Sequence, residues 1–199
     1  MPRPSTITDE QILSAAREVF LEEGLQATTA EIARRAGISE GTIFRRFETK
    51  QELFFAAMGA TNKPVWFDLA TSLAGQGDLE ENLTRLATEI LDFFAIVLPK
   101  AHLVLVQSQT TRLIDIFEDP CEAPPVSALR ALTKFFLIEQ KAGRLQTCDP
   151  EVSARLFLGS LHHFAFCEMC GINDIVVMPR QTFVRCTVNQ LLRGLRADT

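Results

Sequence analysis

The 199-residue chain lacks long apolar runs and an apolar leader. Its longest apolar stretches, such as residues 101–106, are interrupted early and fall far short of the roughly 18–20 residues that cross a bilayer. Residues 1–11 contain no apolar secretory core. We therefore expect no membrane partner, no export signal and a cytoplasmic protein.

Strand-like alternation is also missing, and residues 175–177 form the only β-like patch, which is too short for a sheet. The five cysteines are an odd number in a chain that is large enough to fold without disulfides, so we expect reduced thiols. No glycine-rich phosphate loop, paired-histidine metal motif or Ser/His/Asp pattern in a supporting context occurs. These absences predict a protein that is not an enzyme and that carries no cofactor or metal.

The composition, with 47% hydrophobic and 23% charged residues, is that of a folded globular protein. The formal net charge is −5, and residues 1–55 hold seven Lys and Arg against nine Asp and Glu. Nucleic-acid-binding domains are usually basic. Any binding of DNA must therefore depend on local clusters of positive charge.

The N-terminal quarter has unusually dense helix-start signals. Thr8 with Gln11, Thr28 with Glu31 and Thr49 with Glu52 have the spacing of capping boxes, and Ser39 can cap one further helix. The predicted short helices cover residues 8–23, 28–36, 39–47 and 49–60. Longer helices are predicted at residues 78–97, from Pro99 to about 115, and at 126–142, 149–170 and 180–196.

Residues 28–54 (TTAEIARRAGISEGTIFRRFETKQELF) have the features that a helix-turn-helix requires. Ala33 is small enough for a close helix crossing, and Gly37 can adopt the positive φ of the turn. Gly41 would cost about 1 kcal/mol relative to Ala within a helix, and close approach to a DNA backbone or base edge would explain it.

This stretch resembles the head of the tetracycline-repressor (TetR) family of bacterial regulators, in the run from Thr29 through AGIS to Leu53. The resemblance implies an all-α protein of about nine helices. A three-helix DNA-binding domain would occupy residues 1–54, and a helical ligand-binding and dimerisation domain would occupy residues 55–199. It also implies a homodimer that binds a palindromic double-stranded DNA operator and leaves it when a small-molecule effector binds.

Carried onto this chain, the resemblance places the third helix in the major groove. The family commonly has Tyr at position 44, where the hydroxyl bonds a phosphate; this chain has no Tyr and places Phe44 there. Arg3 could reach the minor groove as an arm. The candidate DNA-binding residues are Thr28, Thr29, Ser39, Gly41, Thr42, Phe44, Arg45, Arg46 and Lys50.

The last two helices are candidates for the dimer interface. The helix at 149–170 is apolar nearly all the way round, so we expect burial on both sides, with one side facing a partner. Packing of both helices in a monomer's core is the alternative. The candidate interface residues are Leu156, Gly159, Ser160, Val184, Val188, Leu191 and Leu195.

The 15 phenylalanines suggest an apolar or aromatic effector in the C-terminal domain, although most of them can equally be plain core. The candidate ligand-binding residues are Phe93, Phe94, His102, Phe117, Phe136, His163 and Phe166.

Cys167 and Cys170 have the two-residue spacing of zinc and redox motifs, and His163 lies one turn before Cys167. No second cysteine pair completes four ligands. A thiol- or metal-responsive regulator therefore stays an alternative, as do a helical enzyme and a structural dimer that does not bind DNA.

Overall fold

A computed structural model describes residues 7–59, 64–107, 114, 119–121 and 123–195. Ten α-helices, one 3₁₀ turn at Gly24–Gln26 and no strand occur within those ranges, which confirms the all-α prediction. The helices are α1 (Asp9–Glu23), α2 (Thr29–Ala36), α3 (Glu40–Phe44), α4 (Lys50–Ala57), α5 (Val65–Leu73), α6 (Leu79–Gln107), α7 (Pro124–Lys141), α8 (Pro150–Met169), α9 (Ile172–Ile175) and α10 (Arg180–Leu195).

The helices divide into two compact units. The first contains residues 1–62 together with 99–120, and the second contains residues 63–98 and 121–199. The first unit thus includes α4 and the end of α6 beside the three N-terminal helices. The expected domain boundary at residue 54 stays a prediction.

The core of the first unit forms where α1, α2, α3 and α4 meet. Ile12 and Val19 of α1, Ile32 of α2 and Leu53 of α4 are fully buried. Phe20 meets Phe54 edge-on, with ring centroids 5.1 Å apart. Because these apolar residues recur at helical spacing, each helix buries one face and leaves the opposite face free.

The second unit contains the larger core, in which α7 and α8 pack against α5, α6 and α10. Its fully buried large side chains include Trp66, Leu83, Leu86, Ile90, Phe135, Phe136 and Phe157. Burial of so many large apolar groups, each worth about 1.5–3 kcal/mol, stabilises this unit.

A buried ion pair fixes the turn between α5 and α6 to the end of α7. Glu139 is 0% exposed; one carboxylate oxygen accepts from the backbone N–H of Gly75 at 2.9 Å, and the other lies 2.5 Å from the Arg144 guanidinium. Arg144 also donates to the carbonyls of Gln76 and Gly77. Gly75 (φ 76°) and Gly77 (φ 54°) allow the turn to present these groups.

Pro99 lies inside α6 and does not begin a new helix, so the predicted break there was wrong. The ring removes one backbone hydrogen bond to the carbonyl of Ala95. Ala95 and Pro99 are both exposed, so water can bond the freed carbonyl. The apolar spacing also continues on both sides of Pro99, as at Leu91 and Ala101, which keeps the second half of the helix packed.

Smaller departures from the predicted helices concern their bounds and number. The α-helix at residues 40–44 ends one turn earlier than predicted, with Arg45 at its C-cap. The helices α5 and α9 were not predicted, and Ile175 ends α9 where a β-like patch was noted. No described helix combines the length and the apolar character that crossing a membrane would need.

Candidate nucleic-acid interface

The turn between α2 and α3 has the geometry that its sequence predicts. Gly37 adopts the left-handed conformation (φ 68°, ψ 34°), and its N–H donates to the carbonyls of Ala33 and Arg34. The N–H of Ile38 also donates to Ala33, at 2.9 Å. Ala33 itself is 4% exposed, so its small side chain lies at the buried contact behind the turn. These bonds hold α3 at a fixed angle to α2.

The orientation of α3 follows from what it buries. Ile43 is fully buried and Phe47, just after the helix, is 7% exposed. The opposite face leaves Ser39, Gly41, Phe44 and Arg45 exposed and Thr42 half-buried. Phe44 keeps 44% of its surface in solvent, an apolar group that its own fold does not cover.

Side chains on this outer face bond one another and hold their orientations. The hydroxyls of Ser39 and Thr42 lie 3.0 Å apart, so Ser39 does not cap the helix with its side chain as expected. Arg45 donates to the Gly41 carbonyl at 3.2 Å and to the Thr42 hydroxyl at 3.1 Å. Thr29, on α2, donates to Glu40 at 2.6 Å.

Nothing in the described fold requires a glycine at position 41. A methyl group at this position would meet only the Ser39 hydroxyl, at 3.9 Å, and the residue does not need a positive φ. A helical glycine is nevertheless unfavourable by roughly 0.5–1 kcal/mol relative to Ala. The free space above Gly41 therefore faces outwards, on the same side as Phe44 and Arg45.

Three of the five arginines that the structure describes in the head pair with its own carboxylates. Arg34 forms a two-pronged bond with Glu31, and this bond holds the pKa of the Glu31 carboxyl below its usual value. Arg35 lies 2.7 Å from Glu22 of α1, a hydrogen bond that raises the pKa of Arg35. Glu22 of α1 thus offsets part of the positive charge of α2.

Arg45 and Arg46 point to different partners. Arg46 contacts the start of α1, where it lies 2.5 Å from the Asp9 carboxylate and 2.8 Å from the Ile7 carbonyl. Arg45 bonds neutral oxygens on its own helix. Of these two arginines, it is Arg45 whose charge is presented on the exposed face. The sequence places the two arginines side by side and does not show that Arg46 contacts the start of α1, which is distant in sequence.

The starts of α2 and α4 lie on threonine caps. Thr28 accepts from the N–H of Glu31 at 3.1 Å, and Thr49 accepts from the N–H of Glu52 at 3.0 Å. Neither forms the full reciprocal box, since the carboxylate of Glu31 accepts from Arg34 and that of Glu52 accepts from the backbone N–H of Glu48. Only the Thr8–Gln11 box is complete. Lys50, half-buried, is the first residue of α4.

Comparison with known protein families identifies the family of this chain. The family described as bacterial regulatory proteins, tetR family, matches residues 12–57. The AefR-like transcriptional repressor C-terminal domain matches residues 81–188, more than half of the chain. The chain belongs to the TetR family of transcriptional regulators.

Individual relatives agree with this assignment. The uncharacterized HTH-type regulator YvkB of Bacillus subtilis is 26% identical over 193 residues, covering 96% of this chain and 98% of YvkB. The HTH-type repressor BepR of Brucella suis is 45% identical over 58 residues, covering 29% of this chain and 28% of BepR. The solved structure of FadR from Bacillus subtilis with stearoyl-CoA superposes with a TM-score of 0.59 at 16% identity, covering 94% and 99%.

Two cations that sequence reasoning missed bind the C-terminal end of α4 in the first unit. Arg17 of α1 donates to the carbonyl of Ala57 at 2.7 Å, and Lys100 of α6 donates to the carbonyl of Met58. Burial, reinforced by the charge of Arg17, lowers the pKa of Lys100. Only the fold could reveal this pairing, because the three elements are distant in sequence.

The predicted effector residues do not converge on one point. Phe136 is fully buried in the core, whereas His163 and Phe166 lie on the exposed face of α8. Phe93 and Phe94 are adjacent rings, and Phe94 meets His162 edge-on at 5.4 Å. His102 is exposed in the first unit, and Phe117 lies outside the described residues, as does Arg3.

Trp66 is a further aromatic residue in the body. It is 2% exposed, and its indole N–H has no hydrogen-bond partner within the described part of the chain. A buried indole usually finds an acceptor. Separately, a groove of about 450 Å³ opens between α7 and α8, lined by Val126, Leu129, Arg130, Thr133, Lys134, Leu137, Glu151 and Arg155. None of the described effector candidates lines it.

The predicted interface residues separate into two groups. Val184 and Val188 of α10 are 4% and 1% exposed in the chain's own core, and Leu191 and Leu195 pack against that core. Leu156 and Gly159 of α8 are exposed and Ser160 is half-buried. The α8 helix is therefore buried on one side only within the chain, and its other apolar face is uncovered.

The two cysteines of the thiol alternative differ in environment. Cys167 is 8% exposed, with its Sγ 3.6 Å from His163 Nε2, whereas Cys170 is exposed. Among the described residues, no three His, Cys, Asp or Glu side chains form a group that could hold a metal ion.

Proposed function

We propose that this TetR-family protein is a repressor that binds a palindromic operator as a homodimer and leaves it when a small apolar or aromatic molecule binds its second unit. The observation that carries the proposal is the outer face of α3. Three residues lie together there. The fold itself does not require a glycine at position 41, Phe44 is uncovered, and Arg45 is bonded to neutral oxygens. A DNA groove supplies the close contact and the negative charge that this face lacks.

Each residue of the proposed interface has a distinct part. Thr42 and Arg45 meet base edges or phosphates, Gly41 allows close approach, and Phe44 packs against the sugar-phosphate backbone. Lys50 meets a phosphate near the start of α4. Thr28, Thr29 and Ser39 flank the face. Arg46 contributes a phosphate contact only if its ion pair with Asp9 breaks and the phosphate takes the place of the Asp9 carboxylate.

The direct test is binding to the DNA upstream of the protein's own gene. Fluorescence anisotropy at low ionic strength should show preference for this duplex over a random duplex of equal length. Arg34→Ala is the matched control for a variant of the α3 face such as Arg45→Ala, because it removes an arginine of the same head that is already paired with Glu31. Equal affinity for both duplexes would contradict the proposal.

The uncovered side of α8 supports a homodimer. A monomer that left Leu156 and Phe166 exposed would carry an apolar patch that soluble proteins normally cover. In a dimer, two recognition helices must lie about 34 Å apart to enter successive major grooves. An effector that changes this separation would release the operator.

The aromatic core of the second unit supports an apolar or aromatic effector. The related fold of FadR was solved with stearoyl-CoA, an apolar acyl chain on a polar carrier. In this chain we place the effector against Trp66, whose indole N–H has no partner among the described residues and would donate to an acceptor on the ligand.

Trp66 is the only tryptophan, and the chain has no tyrosine, so its fluorescence reports on this site alone. Titration with candidate apolar acids and aromatic compounds should shift or quench the emission over the concentration range that releases the operator. Release without any change in Trp66 emission would place the effector elsewhere.

A further inference from the structure

The groove between α7 and α8 has an apolar floor along one face of α7. Val126, Leu129, Thr133 and Leu137 line it and recur at steps of three and four residues, so they share one side of the helix. The hydroxyl of Thr133 donates to the carbonyl of Leu129 at 2.8 Å, so its hydrogen is already bonded within α7. The floor therefore offers contact to apolar groups and little hydrogen bonding.

The dimensions of the groove suit a small molecule. Its volume is about 450 Å³, and ligand sites commonly measure about 300–1,000 Å³. It follows α7 from Val126 to Leu137, a distance of about 16 Å along the helix axis. A protein partner normally contacts about 20–30 residues on each side, whereas eight described residues line this groove. Its size and length therefore favour a small molecule with a narrow, extended apolar part.

Three cations border this apolar floor. Arg130 and Lys134 are exposed and lie one turn apart on α7, a spacing that is unfavourable for like charges on a helix. Arg155 lines the groove from α8. Glu151 is the one carboxylate among the described lining residues, so three positive charges against one negative charge leave a net charge of +2. The groove is thus positive in a protein whose net charge is −5.

Two of these cations are available to a ligand. Lys134 forms no hydrogen bond or ion pair within the described part of the chain. Arg155 lies 2.7 Å from Glu151, but the two side chains are 62% and 53% exposed, and such a pair contributes little to stability. Glu151 lies in the first turn of α8, where the helix dipole favours its charge even without Arg155. A ligand anion can therefore replace Glu151 at Arg155 at small cost.

We propose that this groove binds a linear monocarboxylate, whose apolar tail lies along Leu129 and Leu137 of α7 and whose carboxylate pairs with Lys134 and Arg155. The site is separate from the effector position of the proposed function, because Trp66 is buried and does not line the groove. It also does not depend on the binding of DNA by α3.

Charge selects the head group of the ligand. A neutral amphiphile would cover the floor and leave Lys134 and Arg155 beside apolar atoms without an opposite charge, which is unfavourable. A cationic head would add a positive charge to a groove that already has an excess of them. A carboxylate presents two oxygens, one for each cation, and bonds between ionised partners are the stronger ones.

Calorimetry with defined amphiphiles tests the selection of charge. Octanoate should bind the wild-type protein, while octanol and octyltrimethylammonium, which have the same tail, should bind at least tenfold more weakly. In the series from butanoate to octanoate, the affinity should rise by up to about fourfold for each added methylene. Equal affinity for octanoate and octanol, or affinity that does not depend on tail length, would overturn the proposal.

Charge reversal at Lys134 tests the site itself. Lys134→Glu should weaken the binding of octanoate by about tenfold or more, because an attraction becomes a repulsion. Lys141→Glu is the matched control, since Lys141 is also exposed on α7 and does not line the groove. Arg155→Gln gives an independent variant on the other helix, and circular dichroism checks that all three proteins fold. Equal octanoate affinity in all three folded variants rules out this site.

Methyl NMR locates the bound tail. Octanoate should shift the methyl signals of Val126, Leu129 and Leu137, each assigned by substitution. The methyl signals of Leu103 should stay unchanged, because Leu103 is exposed to a similar extent but lies on α6 and outside the groove. Shifts confined to residues outside the groove would place the carboxylate elsewhere and overturn the proposal.

The fluorescence of Trp66 keeps this proposal apart from the proposed function. Octanoate that changes Trp66 emission and binds the wild type and Lys134→Glu equally would occupy the effector position; this result overturns the groove site and leaves the proposed function intact. A protein that binds no operator, but binds octanoate in a manner that depends on Lys134, overturns the proposed function and supports the groove site.

Discussion

At the scale of single residues, replacing Gly41 should change stability and DNA binding in opposite directions. Its backbone is helical and a methyl group would meet open space. Gly41→Ala should therefore raise the free energy of unfolding of the head by about 0.5–1 kcal/mol. The same variant should also weaken operator binding, because the added methyl group occupies the space into which the DNA is proposed to fit. Thermal unfolding and anisotropy measure the two effects, and unchanged binding would contradict the role of Gly41.

The neighbouring arginines should differ in the same two measurements. Arg45→Ala should weaken binding and reduce the salt slope by about 1, as expected for one lost phosphate contact. Its melting temperature should stay near that of the wild type. Arg46→Ala should instead destabilise the head by about 1 kcal/mol, because Arg46 bonds Asp9 and Ile7. The assignment is wrong if the two variants have the same profile.

We expect His162 to make the second unit sensitive to acid. Burial, reinforced by the charge of His163, holds the pKa of His162 below its ordinary value of 6.5. The unfolded chain therefore takes up a proton first as the pH falls below 6.5, and the free energy of unfolding decreases until the folded pKa is reached. Above 6.5 this effect is absent.

Urea unfolding at pH values on either side of 6.5 tests this expectation. His162→Gln should lose less stability on acidification than the wild type does. His102→Gln, which changes a histidine of the first unit, is the control for the loss of a histidine as such. An equal loss in all three proteins would assign the acid sensitivity to other groups.

At the scale of elements, the ion pair between α7 and the α5–α6 turn should have a large effect. Glu139→Gln keeps an acceptor for Gly75 but leaves Arg144 without its opposite charge. We expect a loss of about 2–4 kcal/mol, reduced from the cost of a fully buried pair because Arg144 is partly exposed. Glu151→Gln, which breaks an exposed pair with Arg155, should cost under about 0.5 kcal/mol. Chemical denaturation compares the two variants, and equal losses would contradict the role of the buried pair.

Local signals predicted the starts of elements better than their ends. Thr8, Thr28, Thr49 and Asp149 each accept a backbone N–H at the helix start that the sequence indicated. Such caps act over three residues, so the sequence shows them directly. The continuation of α6 through Pro99 depends instead on packing at Leu91 and Ala101, which no local signal contains.

At the scale of the whole molecule, the net charge of −5 limits binding to arbitrary DNA. Non-specific binding depends almost wholly on neutralising phosphates, and three of the five described arginines of the head are paired with carboxylates. We therefore expect weak affinity for random duplex that disappears at moderate salt, while operator binding persists. Anisotropy titrations over a range of salt concentrations would show this, and comparable salt slopes for both duplexes would argue against a local contact surface.

The sequence by itself determined the all-helical class, the helix-turn-helix with Ala33 and Gly37 at its turn, and the family resemblance. These depend on caps, periodicity and turn residues that act within a few positions of one another. Only the tertiary structure decided that Arg46 bonds the start of α1, that Val184 and Val188 lie in the chain's own core, and that one side of α8 remains uncovered. Which face of a helix is free depends on elements far away in sequence, and a helix that is apolar all round does not reveal it.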